Sequence, residues 1–272
     1  MTRENKVPEA AYGILQQNMS DSVIAEAEEQ VRDLGYAILE SGCSAVEIQN
    51  ISEEFNRTRE RYIETYGEKR LTNLNEIHTI RSPLIHGGPE FLQLALNDNL
   101  LSILRKLIPG KFIINQQNGV INPPQKTYNQ GAWHRDLPYQ HFVSTKPLAV
   151  NALFCVDDFT FDNGATYVLP ASHKSEAFPS VNYVRRNAYQ VEAKAGSFIL
   201  LDCMLFHSGG FNKTQVERRA VNHVYNIPYF RQQINISKNM NGNILSEEAK
   251  DILGFNTIEA ASISDYLTSR QG

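Results

Sequence analysis

A chain of 272 residues, 42% hydrophobic and 21% charged, is long enough to bury a substantial core and has the composition of an ordinary globular protein. A formal net charge of −4, with no block of five like charges, excludes an electrostatic footprint for nucleic acid or an anionic membrane. No run approaches the roughly 20 apolar residues of a membrane span, and MTRENKVPEAAYG lacks a signal-like apolar segment, so a cytoplasmic protein acting on a small molecule is the expectation.

Residues 20–34, SDSVIAEAEEQVRDL, carry apolar residues at helical spacing and stop at Gly35, after which YAILE reads as a short strand. Residues 44–66 predict a second, charged amphipathic helix. From 67 to 90 the pattern is irregular and polar, a long loop carrying His78, Arg81 and His86 that reads first as a solvated loop, with closure over a substrate as the alternative. EFLQLALNDNLLSILRKL predicts one helix over about 90–107, ended by Pro109-Gly110.

Beyond Gly110 the texture changes. KFIINQQNGVIN, PLAVNALFCVDDF, ATYVLPAS, AYQVEA, GSFILLDCMLF and RRAVNHVYNIPYF are β-rich runs separated by Gly, Asn, Asp and Pro. Six short strands without long helices between them point to a sandwich or barrel, mainly β with helical flanks. With no Pro/Gly/Ser-rich linker, residues 1–272 read as one domain: a helical N-terminal layer of about 1–109, a β core of about 110–232 and a helical tail of about 233–272. Cys43, Cys155 and Cys203 lack CxxC spacing and read as reduced small hydrophobes.

The chemistry concentrates in WHRDLPYQH, residues 133–141. His134 and Asp136 are two apart, and alternate residues of an extended chain face one side. Seven histidines and thirty acidic residues in 272 positions make about one H-x-[D/E] expected by chance, so the pair alone is weak. His207, at a strand end before Ser208-Gly209-Gly210, offers a third ligand. Two imidazoles and a carboxylate on one face of an ion are the donor set of non-haem Fe(II) oxygenases. Eleven residues on, Arg218 begins a strand whose alternation puts Arg218, Ala220 and Asn222 on one face and Arg219 on the other. An arginine inside a barrel requires an anion, either a bound carboxylate or a buried acid.

His134-x-Asp136, DNGATYVLPASHK at 162–174, and FHSGGFNKT at 206–214 followed by Arg218 resemble, in that order, the phytanoyl-CoA dioxygenase family of Fe(II)- and 2-oxoglutarate-dependent oxygenases. The resemblance runs from about Phe112 to Phe230. It implies a double-stranded β-helix (a jelly roll, or cupin-like barrel) in which His134, Asp136 and His207 hold Fe(II). Arg218 would pair with the distal carboxylate of 2-oxoglutarate, and Thr166 matches a co-substrate contact of some members. O2 would be the oxidant, and succinate and CO2 would be released as a C–H bond of a small to medium metabolite is oxidised. Asn118 and Asn122 share a strand face leading toward His134 and are further candidates for co-substrate contact.

Many members carry Gln where this chain has Arg135, and PGSH where it has Pro170-Ala-Ser-His173. Arg135 therefore reads either as a contact for an anionic substrate group or as a replacement for one of the usual co-substrate contacts, with Tyr139, His141 and Arg81 as further substrate candidates and His173 as support for its turn. Two other readings stand beside the oxygenase: a non-catalytic β-barrel that binds a small molecule, and a cupin-like metalloenzyme that uses no keto acid. Neither accounts for the metal ligands and Arg218 together.

Overall fold

The computed structural model describes residue 8, residues 10–137 and residues 142–270. In chain order the elements are α1 (Val23–Leu34), β1 (Tyr36–Glu40), α2 (Ala45–Tyr66), α3 (Glu68–Asn73), β2 (Thr79–Arg81), α4 (Pro83–His86), α5 (Pro89–Ala95), α6 (Asp98–Leu107) and β3 (Ile113–Asn122). There follow β4 (Ala149–Cys155), β5 (Thr166–Val168), α7 (Val181–Asn187), β6 (Tyr189–Val191), β7 (Ser197–Asp202), β8 (His207–Ser208), β9 (Arg218–Asn226), α8 (Glu247–Ile252) and α9 (Ile263–Thr268).

Local signals set most boundaries. Ser22 caps α1 by accepting from the Ala25 amide, and Gly35 ends it in the left-handed conformation. Ser44 and Glu47 form a reciprocal capping box on α2. That helix buries Ile51, Phe55, Thr58 and Tyr62, one helical face. The single helix expected over 90–107 is two: the chain leaves helical geometry at Leu96, and Asn97 starts α6 by accepting from the Leu100 amide. The irregular stretch at 67–90 is also more ordered than its polarity suggests, holding α3, β2 and α4. Here the buried Glu54 of α2 ties the segment down, accepting from Arg57, Thr58, Arg61 and the Gly88 amide. Those four donors hold its carboxyl down to about 2 against the cost of burial.

Among the described residues two antiparallel sheets form, one in the order β1-β7-β4-β9-β3-β2 and the other β6-β5-β8. Thus β1 and β2, although they lie in the helical N-terminal layer, are the two edges of the larger sheet. Its outer face packs on the helices: Phe55, Ile80, Phe91, Leu104, Phe154, Phe198, Val221 and Tyr225 belong to one buried apolar cluster. A smaller cluster joins the two sheets through Ala165, Val168, Val191, Ile199, Leu201 and Ala220. All three cysteines are free thiols, two of them buried. No helix among the described residues is long and apolar enough to cross a membrane.

Candidate active site

The segment carrying His134 and Asp136 lies alongside the smaller sheet. His134 and His207 exchange both backbone hydrogen bonds, at 2.9 and 3.0 Å, and the Asp136 amide donates to the Cys203 carbonyl at 3.1 Å. Residues 73 positions apart in sequence are thereby direct cross-strand partners, with ring centroids 4.4 Å apart. One ligand atom from each of His134, Asp136 and His207 lies within 4.8 Å of the others.

The protonation pattern suits a cation. Nδ1 of His134 is 2.8 Å from the Ala132 carbonyl and Nδ1 of His207 is 3.0 Å from the Leu205 carbonyl. A carbonyl only accepts, so both Nδ1 atoms carry the proton and both Nε2 atoms present a lone pair. Burial also lowers the pKa of His207, against the pull of Asp136, and keeps it neutral. Asn151 of β4 donates from Nδ2 to Asp136 Oδ2 at 2.7 Å, leaving Oδ1 3.6 Å from His207 Nε2. The donor types, their convergence and their free lone pairs fit a divalent metal of the Fe(II) class.

The same cavity runs down the inner face of β9. Arg218, Ala220 and Asn222 line it together with Val120, Leu153, Leu201, Thr166 and the ligands. Arg218 is only 3% exposed. Its Nε has no partner, and its only side-chain hydrogen bond among the described residues is a long one, 3.4 Å to the Tyr128 hydroxyl. The guanidinium lies 3.9 Å from the centroid of the Phe159 ring, and no described carboxylate is within ion-pair distance. Burial disfavours its charge. Arg219 is turned outward, where it grips Asp157 at 2.6 Å and reaches Ser52 and Asn56 of α2.

The other expected residues divide. Thr166 lines the cavity. Asn118 is buried opposite Asn222 in the β3–β9 register but is not on the cavity wall. Asn122 is buried and spends its amide on the Gly210 and Gly164 carbonyls, so it staples two turns together. Arg81 pairs with Glu76 at 2.5 Å and lines a separate cavity of about 350 Å³ with Tyr62, Tyr66 and His86. Tyr139 and His141 lie outside the described residues.

Arg135 requires a correction. It is 5% exposed and faces away from the cavity, donating to the carbonyls of Met204 (2.6 Å), Glu176 (3.0 Å), Ser172 (3.1 Å) and Ser175. Its guanidinium also stacks 3.9 Å over Phe206. The alternation that turns His134 and Asp136 inward turns the residue between them outward. His173, bonded to the Arg32 carbonyl at 3.0 Å, supports the same turn region. Sequence reasoning missed Tyr128, Gln130 and Asn151, all on the cavity wall. Only Asn151 had a usable signal, as a polar residue inside an apolar strand.

A protein of Mycobacterium tuberculosis (strain H37Rv), uncharacterized protein Rv1501, is 27% identical over 255 residues, covering 91% of this chain and 92% of that one. Dioxygenase af480 of Aspergillus fumigatus is 27% identical over 174 residues, 61% of this chain and 55% of its own. Among solved structures, EctD from S. alaskensis with 2-oxoglutarate and 5-hydroxyectoine superposes with a TM-score of 0.66 at 23% identity, covering 79% and 81% of the two chains. That likeness shows the double-stranded β-helix fold. Residues 31–220 match the sequence model of the phytanoyl-CoA dioxygenase (PhyH) family, and the chain belongs to that family and is an oxidoreductase of the dioxygenase type.

Proposed function

We propose that this chain is an Fe(II)- and 2-oxoglutarate-dependent oxygenase that hydroxylates, or otherwise oxidises, an unactivated C–H bond of a small to medium metabolite. The observation that carries the reading is one cavity with a convergent His–Asp–His group at one place and a buried arginine lacking an acid partner at another. His134, Asp136 and His207 would hold Fe(II), which when bound supplies open positions for the keto acid and O2 and the oxidising power released with succinate and CO2.

The protein's own groups do the positioning. The two Nδ1–H bonds to backbone carbonyls hold each imidazole in its tautomer and fix the direction of its Nε2 lone pair. Asn151 occupies one oxygen of Asp136 so that the other faces His207. Arg218, desolvated and preorganised against Phe159, pairs with the far carboxylate of the co-substrate and sets its reach from the metal. Thr166 contributes to the wall beside it. EctD, solved with 2-oxoglutarate bound, shows that this fold admits such a co-substrate.

The test is anaerobic titration of the protein with Fe(II) and 2-oxoglutarate, read by the weak visible metal-to-ligand absorption band. Wild-type protein should show the band, His134→Ala should lack it, and Arg218→Ala should need far more co-substrate to reach it. Arg219→Ala should titrate as wild type does, because its side chain is committed to Asp157 on the other face. No band at saturating ligand would overturn the 2-oxoglutarate reading. Substrate identity is then approached by succinate release stimulated across a metabolite panel.

A further inference from the structure

Tyr128, the hydrogen-bond partner of Arg218, has a role that follows from what it lacks. Tyr128 lies in the loop after β3, just before the turn that leads into the metal-binding segment. Its hydroxyl accepts a 3.4 Å hydrogen bond from Arg218. A guanidinium has donors only, so the hydroxyl's own proton remains to be given, and no described residue receives it. A buried donor, Arg218, and a half-buried one, Tyr128, thus line one cavity with unused protons. Burial raises the Tyr128 pKa against the pull of Arg218 and keeps the hydroxyl protonated as a donor.

The backbone makes room for this hydroxyl. A Cβ built on Gly209 would overlap the Tyr128 hydroxyl, so Gly209, two residues beyond the ligand His207, admits the phenol tip. Tyr128 and Gly209 line both the metal cavity and an outer cavity of about 280 Å³ that also holds Lys126 and Phe211. The phenol ring is therefore the partition between Arg218 and the outer cavity.

We propose that Tyr128 is a co-substrate-binding residue, its hydroxyl donating to the same far carboxylate that Arg218 pairs with, and that Gly209 is kept small to seat it. This rests on the 2-oxoglutarate reading above. A carboxylate there receives the unused Arg218 donors and the unused phenol proton together. It also fixes specificity, because a keto acid without the second carboxylate leaves both donors unpaired.

The experiment is a cycle between residue and ligand. Affinities of 2-oxoglutarate and of 2-oxopentanoate, which lacks the far carboxylate, are measured by the metal-to-ligand band of the Fe(II) protein under anaerobic conditions. Wild type and Tyr128→Phe are compared. Tyr128→Phe keeps the ring and the partition and removes one hydrogen bond to a charged acceptor, so 2-oxoglutarate should bind roughly tenfold more weakly. Binding of 2-oxopentanoate should be unchanged, and so should the Fe(II) affinity. Gly209→Ala, which keeps the hydroxyl but pushes it aside, should reproduce the selective loss if Tyr128→Phe is poorly folded. Equal affinity for 2-oxoglutarate in wild type and both variants, or an equal loss for both acids, overturns the proposal. Wild-type protein that binds no 2-oxoglutarate overturns the reading beneath it, which is a different outcome.

Discussion

Replacing Arg135 with Met tests whether this residue serves the substrate or the scaffold. The guanidinium donates to four carbonyls, two of them on the buried residues Met204 and Ser172 and two on the exposed Glu176 and Ser175. Met fills much of the same volume, and water can rehydrate the exposed pair. The Met204 carbonyl is left unsatisfied at about 1–3 kcal/mol, while the Ser172 carbonyl keeps the Ser175 amide as its donor, and the stacking on Phe206 at 3.9 Å is lost. The guanidinium's own burial cost disappears as well, so the expected net loss is about 2 kcal/mol. For a chain of this size that lowers the melting midpoint by about 5 °C. The assay is thermal unfolding of wild type, Arg135→Met and Arg135→Lys. Lysine keeps the charge but has no fork to reach four carbonyls, so it should rescue little. A midpoint for Arg135→Met within about 2 °C of wild type would refute the scaffold role and return Arg135 to the list of substrate contacts.

Two further outcomes are expected. Asn151→Leu removes the donor that fixes Asp136 Oδ2, and metal titration should show roughly tenfold weaker Fe(II) binding with little change in melting of the metal-free protein; unchanged metal affinity would rule Asn151 out as a positioning residue. His223, fully buried between Gln117 and the Ala152 carbonyl, has its pKa pushed down from 6.5 to about 4 by desolvation. Between those values the unfolded chain binds the extra proton, so stability present above pH 6.5 is lost as pH falls toward 4. The whole effect is about 3 kcal/mol, about 2 of it gone by pH 5. Urea midpoints at pH 7.5 and 5 should show this loss in wild type and a flatter response in His223→Gln; an identical slope in both would exclude His223 as its source.

The parts of the molecule legible in the sequence are those written at short range. Helix α2 is announced by its capping box and its buried stripe, and β9 by strict alternation that places Arg218, Ala220 and Asn222 on the cavity wall. The segment at 67–90 was not legible, because what orders it is Glu54, a residue of the preceding helix that reaches the Gly88 amide. The β2 strand of three residues carries too little pattern to be seen, and it exists as the edge partner of β3. Tyr128 could not be found from spacing either. The role proposed for it rests on proximity to Gly209 and Arg218, 81 and 90 positions away in the chain.

Three arginines of this chain show how far residue type alone carries a functional argument. Each is charged, each sits beside the site in sequence, and each is mostly buried. Arg219 has an acid, Asp157, within 2.6 Å, so its charge is already answered inside the protein. Among the described residues Arg135 has no acid partner but four carbonyls, which complete a planar fork and hold the turn beneath Phe206. Arg218 has neither among the described residues: a ring face and one long contact to a phenol leave a desolvated cation with unfilled donors. Burying such a group costs several kcal/mol unless something anionic arrives to meet it. The deficit of partners, rather than the presence of an arginine, is what supports Arg218 as the proposed carboxylate site. By the same reasoning the sequence departure at Arg135 says nothing about substrate charge, and the search for substrate is better guided by the neutral carboxamides of Asn151 and Asn222 on the cavity wall.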